Sequence, residues 1–330
     1  MTTDAPDRVT GTRTRMVWMD ALRGIAIVLI VALHATAIAQ SSGLPISRAI
    51  LIFNGFMEPF RIPLLMTLSG MLLGGSLRKG TGRYLQGKVR AILWPYIVWT
   101  LVAFLYFPFL GVEMLQRAVW APSTYLWYLH TLFLCYLIAL ALRRVPPLTA
   151  LAIVLAIGLV VQLLPLAEPF TLMSLGRTCA MLVCFFAGHL FMEHLDEALA
   201  VLRRWWVTTL LLVLGVGLGW LGLQGTVQVA NNPWFSVPII ATIGAGIGIA
   251  QRIPWTSLPG RWIRWVGRHS IIYYVMHWIV IDFSLRFIRL LPDWRGFVVV
   301  PALVLTALAV CGLVALAQRY LPPMRWLFRI

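Results

Sequence analysis

Two of the ionisable residues in the first long apolar stretch of the chain have a spacing that places them on one face of a helix. Arg23 and His34 are eleven residues apart within residues 17–39. Eleven residues at about 100° each come within about 20° of three whole turns, so both side chains project from one stripe, about 16 Å apart along the axis. Histidine can exchange a proton near neutral pH. The pair therefore predicts a line of polar residues through the interior of a helical bundle.

An ionisable side chain at the centre of a bilayer costs roughly 2.5–3.5 kcal/mol on insertion scales, so each one indicates a partner, a wet cavity or a function. Two interpretations of the first stretch stay open. Either Arg23 and His34 line a cavity, or Arg23 pairs with Asp20 and His34 hydrogen-bonds a carbonyl near the membrane surface.

The second apolar stretch, residues 49–76, contains an acid, a base and two prolines: Glu58, Pro59, Arg61 and Pro63. Proline removes a backbone donor, so the helix is predicted to kink or break here. Broken backbone within a membrane is tolerated only where protein covers it or where it lines a cavity. Glu58 and Arg61 therefore either form an ion pair or line a cavity.

These stretches belong to a chain that is apolar along its whole length. Of 330 residues, 60% are hydrophobic and 12% are charged, against roughly 25% charged in soluble domains. The mean hydropathy is +0.86. Such a composition excludes a soluble enzyme, a disordered protein and a secreted disulfide scaffold. It predicts an all-α, polytopic transmembrane helical bundle of about ten spans, at roughly 20 residues a span. The predicted spans are 17–39, 49–76, 91–111, 122–142, 147–165, 171–192, 205–222, 234–250, 267–288 and 297–318.

The distribution of basic residues predicts that both termini are cytoplasmic. Lys and Arg concentrate in cytoplasmic loops of membrane proteins. With the N-terminus inside, 19 of the 27 basic residues fall in inner segments and five in outer loops. The predicted organisation is a cytoplasmic tail (1–16), one transmembrane domain (17–318) and a second cytoplasmic tail (319–330), in the inner or plasma membrane. The same distribution accounts for the net charge of +16 without a nucleic-acid partner.

Four segments, in order along the chain, resemble the acyltransferase-3 family of membrane O-acyltransferases, in the branch related to sugar O-acetyltransferases. They are Asp20-Ala-Leu-Arg-Gly through His34, Phe60-Arg61-Ile62-Pro63-Leu64 through Leu68-Ser69-Gly70, Trp127-Tyr128-Leu129, and Gly267-Arg-His-Ser270-Ile-Ile-Tyr273-Tyr274-Val-Met-His277. Together they cover nearly the whole chain. One feature departs from the family: its frequent Arg-x-x-Arg pair before the third span is matched only by Lys88 and Arg90, one residue closer together.

The resemblance implies transfer of an acyl group, usually acetyl, from cytoplasmic acyl-CoA to a hydroxyl of a saccharide or related acceptor. It implies His34 as general base, with a transient acyl-histidine as the alternative, and Arg23 as the residue that orients the donor or stabilises the oxyanion. A cell-envelope glycan, an exported polysaccharide, a lipid-linked sugar and a small glycosylated metabolite all stay open as acceptors. Some relatives carry a large extracytoplasmic domain, so a relay here would require a separate extracytoplasmic transferase partner.

Further residues are expected to bind the donor or line the cavity. The phosphates of acyl-CoA are expected to contact a basic inner segment, although ordinary loop charge or contact with membrane lipids would explain the same residues. These residues are Arg78, Lys79, Arg83, Lys88 and Arg90. A second set of residues is expected to contact the acceptor or to line the cavity. The same residues could equally form polar contacts between helices. These are Asp20, Glu58, Arg61, Trp127, Tyr128, Ser270, Tyr273, Tyr274 and His277.

Two further expectations complete the sequence-based picture. No metal site is predicted, because no histidine has a second histidine at i+4. The rival function is a multi-span transporter or exporter of a small polar or acylated substrate, since broken helices and intramembrane charges also suit such proteins.

Overall fold

The computed structural model describes residues 16–107, 124–164, 169–225, 227–288 and 296–329. Within these ranges the regular structure is helical and no strand is present, which confirms the predicted all-α class. The predicted N-terminal tail up to residue 15, and parts of the predicted third, fourth and fifth spans, lie outside the described residues.

Eight helical stretches among the described residues are long and apolar enough to cross a membrane, so the chain is a multi-pass membrane protein. Some of these stretches, such as Arg48–Gly70 and Thr81–Tyr106, consist of consecutive shorter helices. Two more apolar helices, Trp127–Ala141 and Pro147–Leu163, are shorter than the length needed for that assignment. They occupy the positions of the predicted fourth and fifth spans. The predicted cytoplasmic placement of both termini remains a prediction.

The helices are numbered here along the described residues. They are α1 (Val17–Ser41), α2 (Arg48–Phe56), α3 (Arg61–Gly70), α4 (Leu73–Leu77), α5 (Thr81–Lys88), α6 (Trp94–Tyr106), α7 (Trp127–Ala141), α8 (Pro147–Leu163), α9 (Pro169–Glu193), α10 (Leu195–Leu202), α11 (Trp205–Gln224), α12 (Ser236–Arg252), α13 (Leu258–Arg268), α14 (Ser270–Ile288), α15 (Gly296–Ala317) and α16 (Pro322–Arg325). A π-helical turn, Val89–Leu93, joins α5 to α6.

The predicted break in the second span is confirmed. Helix α2 ends at Phe56 and α3 begins at Arg61, with a turn over residues 57–60 between them. Pro59 lies in that turn, and Pro63 lies in the first turn of α3, where backbone N–H groups have no partner within the helix. Both prolines therefore lie where the missing backbone N–H removes no hydrogen bond from a helix.

Helix α1 occupies the centre of the bundle. It contacts α2, α3, α12, α13, α14 and α15. Its approach to α13 is close: a Cβ added to Gly24 would overlap the carbonyl oxygen of Ile263, and one added to Gly267 would overlap that of Asp20. Small residues let membrane helices pack backbone against backbone in this way. The helix that carries Arg23 and His34 is thereby enclosed by protein.

A second close contact holds α3 against α9. A Cβ on Gly70 would overlap the carbonyl oxygen of Phe185, and a Cβ on Gly188 would overlap that of Thr67. Both glycines have main-chain atoms of the opposite helix as neighbours, so a rotamer change cannot relieve the overlap. This contact fixes α3, which carries Ser69 and Leu68.

We expect Gly70→Ala to destabilise the protein, because the new methyl group must separate α3 from α9. Overpacking typically costs about 1–3 kcal/mol. The control is Gly217→Ala in α11, where a Cβ meets nothing within 4 Å. Thermal unfolding of both variants in detergent should show a lower Tm for Gly70→Ala and an unchanged or slightly higher Tm for the control. Equal stability of the two would contradict the described α3–α9 contact.

Candidate active site

A cavity of about 290 Å³ lies between α1, α3, α7, α14 and the segment that joins α5 to α6. Its wall is apolar in part, with Ile27, Leu65 and Leu132 among its residues. Its polar side chains come from α1, α3, α5, α7 and α14. They are Arg23, Ser69, Lys88, Tyr128, Tyr136, Ser270 and Tyr274. An apolar pocket with a few convergent polar groups is the usual form of a small-molecule site.

Hydrogen bonds fix the tyrosines on the α3–α7 side of the cavity. The Tyr136 hydroxyl donates to the Ser69 carbonyl at 3.1 Å, and the Ser69 and Tyr128 hydroxyl oxygens are 3.4 Å apart. The Tyr84 hydroxyl donates in turn to the Tyr136 carbonyl at 2.7 Å. These bonds hold the aromatic wall in one arrangement before any ligand binds.

Arg23 is half-buried at the edge of this cavity. Its Nη2 donates to the main-chain carbonyl of Leu68 at 3.3 Å, not to the Asp20 carboxylate. Asp20 is itself buried, and its main chain lies against Gly267. Helix α3 therefore orients Arg23, and the guanidinium keeps further N–H groups that can reach a ligand in the cavity.

Lys88 is the one residue of the predicted donor-binding set that lines the cavity. Its Nζ donates to Ser76 Oγ at 3.1 Å and lies 3.6 Å from the centre of the Tyr136 ring, a cation–π distance. The π-helical turn begins directly after it, and Ala91 and Ile92 of that turn also line the cavity. The other four basic residues of the set are exposed and lie outside the cavity wall. They are Arg78, Lys79, Arg83 and Arg90.

His34 lies beyond this cavity, in a cluster of aromatic rings. Its ring centre is 5.1 Å from that of His277 and 4.8 Å from that of Trp278. Tyr125 stacks on Trp278 at 5.4 Å. The sequence analysis placed His34 and His277 in separate motifs, and the structure brings their rings together.

His277 is fully buried, with one of its two ring nitrogens satisfied. Nδ1 lies 3.0 Å from the carbonyl oxygen of Tyr273, whereas Nε2 has no hydrogen-bond partner among the described residues. A buried polar atom without a partner costs roughly 1–3 kcal/mol. A polar group of a ligand or a water molecule would remove that cost. The nitrogen therefore marks a place beside His34 that suits a hydroxyl.

Helix α14 links the cavity to this ring cluster. Ser270 and Tyr274 line the cavity, and the Tyr274 ring lies 5.2 Å from Tyr128 and 5.9 Å from His277. The Tyr274 hydroxyl donates to the Tyr125 carbonyl at 2.5 Å. Tyr273 packs elsewhere. Its ring lies edge-on against Trp265, and its hydroxyl lies against Gly312 of α15, 3.1 Å from the position that a Cβ on this glycine would take. Tyr273 thus stands apart from the candidate site.

The acid and base at the broken span do not form the ion pair that the sequence allowed. Arg61, which is 3% exposed, donates from Nη2 to the carbonyl and to the side-chain oxygen of Asn54, the latter at 3.1 Å. Asn54 donates to Thr36 Oγ1 at 2.8 Å. Glu58 accepts from the Ala230 N–H instead, at 3.3 and 3.4 Å. Arg61 also lies close enough to His34 for an electrostatic interaction.

Trp127, the last of the predicted cavity residues, lies under a guanidinium. The Cζ of Arg177 is 4.2 Å from the centre of the Trp127 ring, a cation–π contact between α7 and α9. Trp127 does not line the 290 Å³ cavity, although Tyr128 next to it does.

Sequence reasoning missed two polar residues of the cavity, Ser69 and Tyr136, and the residue that binds Arg61, Asn54. Ser69 lies within a motif that carried the family resemblance, which is the one signal that could have identified it. Tyr136 and Asn54 lie in apolar runs, where a single polar side chain is as common in helix packing as in a site. Their roles depend on contacts with distant segments.

Comparison with known proteins agrees with these observations. The acyltransferase-3 family model, described as an acyltransferase domain, matches residues 16–316. No curated protein and no solved structure matches the chain. Because the match spans the central helix, the broken span and α14 alike, the chain belongs to the acyltransferase-3 family and is a membrane acyltransferase.

Proposed function

We propose that the protein transfers an acyl group, normally acetyl, from acyl-CoA to a hydroxyl of a saccharide or related acceptor. The observation that supports this most strongly is the placement of Arg23 and His34 on one central helix. Arg23 lines a polar cavity, and His34 lies beside Nε2 of His277, which has no hydrogen-bond partner among the described residues. A donor site and a proton-accepting site thus lie at two levels of α1.

Helix geometry favours one of the two roles that the sequence left open for Arg23. An oxyanion donor must lie within about 3 Å of the oxygen it stabilises. Arg23 and His34 are about 16 Å apart along α1. A carbonyl attacked beside His34 is therefore beyond the reach of Arg23, so Arg23 is proposed to orient the donor arm within the cavity. Lys88 and the cavity tyrosines are proposed to contact the same arm.

His34 is proposed to act on the acceptor. In the step, the acceptor oxygen attacks the thioester carbonyl carbon, the hydroxyl proton passes to His34, and the C–S bond breaks. The proton then returns to the sulfur, so that the products are the ester and free CoA thiol. His277 is proposed to orient the acceptor by accepting a hydrogen bond from a neighbouring hydroxyl of the saccharide through Nε2, because Nδ1 donates to the Tyr273 carbonyl and Nε2 is buried beside the His34 ring. Neutral imidazole is the form that accepts a proton.

We expect His34→Ala and Arg23→Ala each to abolish acyl transfer without unfolding the protein. General-base catalysis contributes about 10²–10⁴-fold, so His34→Ala should reduce the rate by at least about a hundredfold. The measurement is incorporation of labelled acetyl from acetyl-CoA into the glycan fraction of membranes that contain the protein. His194→Ala is the control, since His194 is exposed and pairs with Glu197 on a separate helix end. Wild-type transfer by a folded His34→Ala protein would eliminate the assignment.

We also expect acetyl-CoA to stabilise the purified protein through the cavity. A ligand that binds only the folded state raises its stability by RT ln(1 + [L]/Kd), about 2.7 kcal/mol at a hundredfold excess over Kd. Lys88→Met should weaken this stabilisation at a given acetyl-CoA concentration, because Lys88 lines the cavity. Arg90→Met should leave it largely unchanged, because Arg90 is exposed two residues away. The reverse order would contradict the placement of the donor in this cavity.

Labelled substrate crossing the membrane without any transfer would favour the transporter hypothesis.

A further inference from the structure

The C-terminal segment of the described chain folds back onto α6. Trp94 Nε1 donates to the Trp326 carbonyl at 2.5 Å, and Trp99 Nε1 donates to the Leu327 carbonyl at 3.0 Å. Phe328 is buried and stacks on Trp99, with ring centres 5.6 Å apart. Residues 325–329 are thereby held against the bundle instead of extending away from it.

This arrangement creates a second pocket, of about 440 Å³, that is strongly basic. Arg268 contributes from the end of α13, and Arg319, Arg325 and Arg329 contribute from the segment after α15. No Asp or Glu of the described chain lines the pocket. The ion pairs present among the described residues involve none of these four arginines.

One of the arginines is held in place, and the other three are available to a ligand. Arg325 donates from Nε to the Gln318 carbonyl at 3.0 Å and from Nη2 to the Arg319 carbonyl at 3.2 Å, which leaves both N–H groups of Nη1 and one of Nη2. Arg268, Arg319 and Arg329 are exposed. Four guanidinium groups around one pocket repel each other and attract a multiply charged anion. Arginine binds phosphate with two parallel charge-assisted hydrogen bonds, so phosphate groups suit this pocket best.

The basic pocket adjoins the 290 Å³ cavity. Ala91 of the π-helical turn and Ile271 of α14 line both. A single elongated ligand can therefore place an anionic end among the arginines and a neutral arm past Arg23 and the cavity tyrosines. Acyl-CoA has this form, because its phosphates lie on the nucleotide end and its acyl thioester lies at the tip of an uncharged arm.

We propose that the pocket formed by Arg268, Arg319, Arg325 and Arg329 binds the phosphate groups of the acyl-CoA donor. The proposal rests on the proposed function and assigns the phosphates to a site other than the exposed residues Arg78 and Arg83. The donor then enters between the C-terminal segment and α14, and its arm passes Ala91 and Ile271 into the cavity.

The experiment measures binding of three probes to the full chain in neutral detergent: acetyl-CoA, adenosine 3′,5′-bisphosphate and S-acetylpantetheine, which lacks the nucleotide phosphates. The test variant is Arg319→Gln/Arg329→Gln, which removes two charges that form no hydrogen bond within the described chain. Arg203→Gln/Arg204→Gln is the matched control, since both arginines are exposed and lie outside either pocket. Thermal unfolding without ligand establishes that both variants are folded.

The test variant should bind acetyl-CoA and adenosine 3′,5′-bisphosphate at least about tenfold more weakly than the wild type, since two charge-assisted hydrogen-bonding groups are lost. Its affinity for S-acetylpantetheine should not change, and the control should match the wild type with all three probes.

Three outcomes would overturn the proposal, and they separate it from the proposed function. Unchanged acetyl-CoA affinity in the test variant, with a loss in Arg78→Gln/Arg83→Gln, would place the phosphates on the α4–α5 segment and leave the proposed function intact. Wild-type protein that binds vesicles containing phosphatidylglycerol through these arginines, but not adenosine 3′,5′-bisphosphate, would assign the pocket to lipid. Wild-type protein that binds none of the three probes would remove acyl-CoA as the donor, and the proposed function with it.

Discussion

The free-energy cost of placing charge in a bilayer determines where α1 must lie. This helix carries Asp20, Arg23 and His34, and an ionisable group facing lipid costs several kcal/mol. The bundle meets that constraint by surrounding α1 with other helices, and the approach is closest where Gly24 and Gly267 let α1 and α13 meet backbone to backbone. A site for a polar substrate needs side chains that point inward and a space from which lipid is excluded. Burial of α1 among the other helices provides both.

The free-energy cost of burying charge also explains why the second span is broken into α2 and α3. Arg61 is buried, so its guanidinium needs acceptors inside the protein. Because α2 ends at Phe56, the Glu58 N–H donates to Gly55 and not to Asn54. The Asn54 carbonyl is thus available, and Arg61 donates to it. An intact helix would have used that carbonyl for its own hydrogen bond. The break therefore supplies the acceptor that the buried base requires, and the prolines keep it open.

Some of these features can be predicted from the sequence alone, and others cannot. Long apolar runs predict the helical membrane fold, and prolines at 59 and 63 predict the break, because both follow from local chemistry. The stripe of Arg23 and His34 follows from the helical repeat. Choosing Lys88 over Arg90 as the cavity residue does not follow: residues two apart lie on roughly opposite sides of a helix, but the local sequence does not reveal which side faces the cavity. The partnership of His34 with His277 depends on the packing of α1 against α14, which neither local sequence reveals.

Helix α14 connects the two regions of α1 to which the proposed function assigns the donor and the acceptor. Ser270, Tyr274 and His277 lie at i, i+4 and i+7 and so occupy one stripe of α14, which runs beside the stripe of α1. Ser270 and Tyr274 face the cavity that holds Arg23, and His277 faces His34. The two stripes carry polar side chains whose chemistry differs along their length: a cationic group and hydroxyls lie at the cavity end, and imidazoles lie at the other. A donor with a charged end and a neutral reactive tip matches that polarity in one direction only. For the acyl-CoA donor proposed above, this difference favours the thioester, and not the phosphates, at the His34 end.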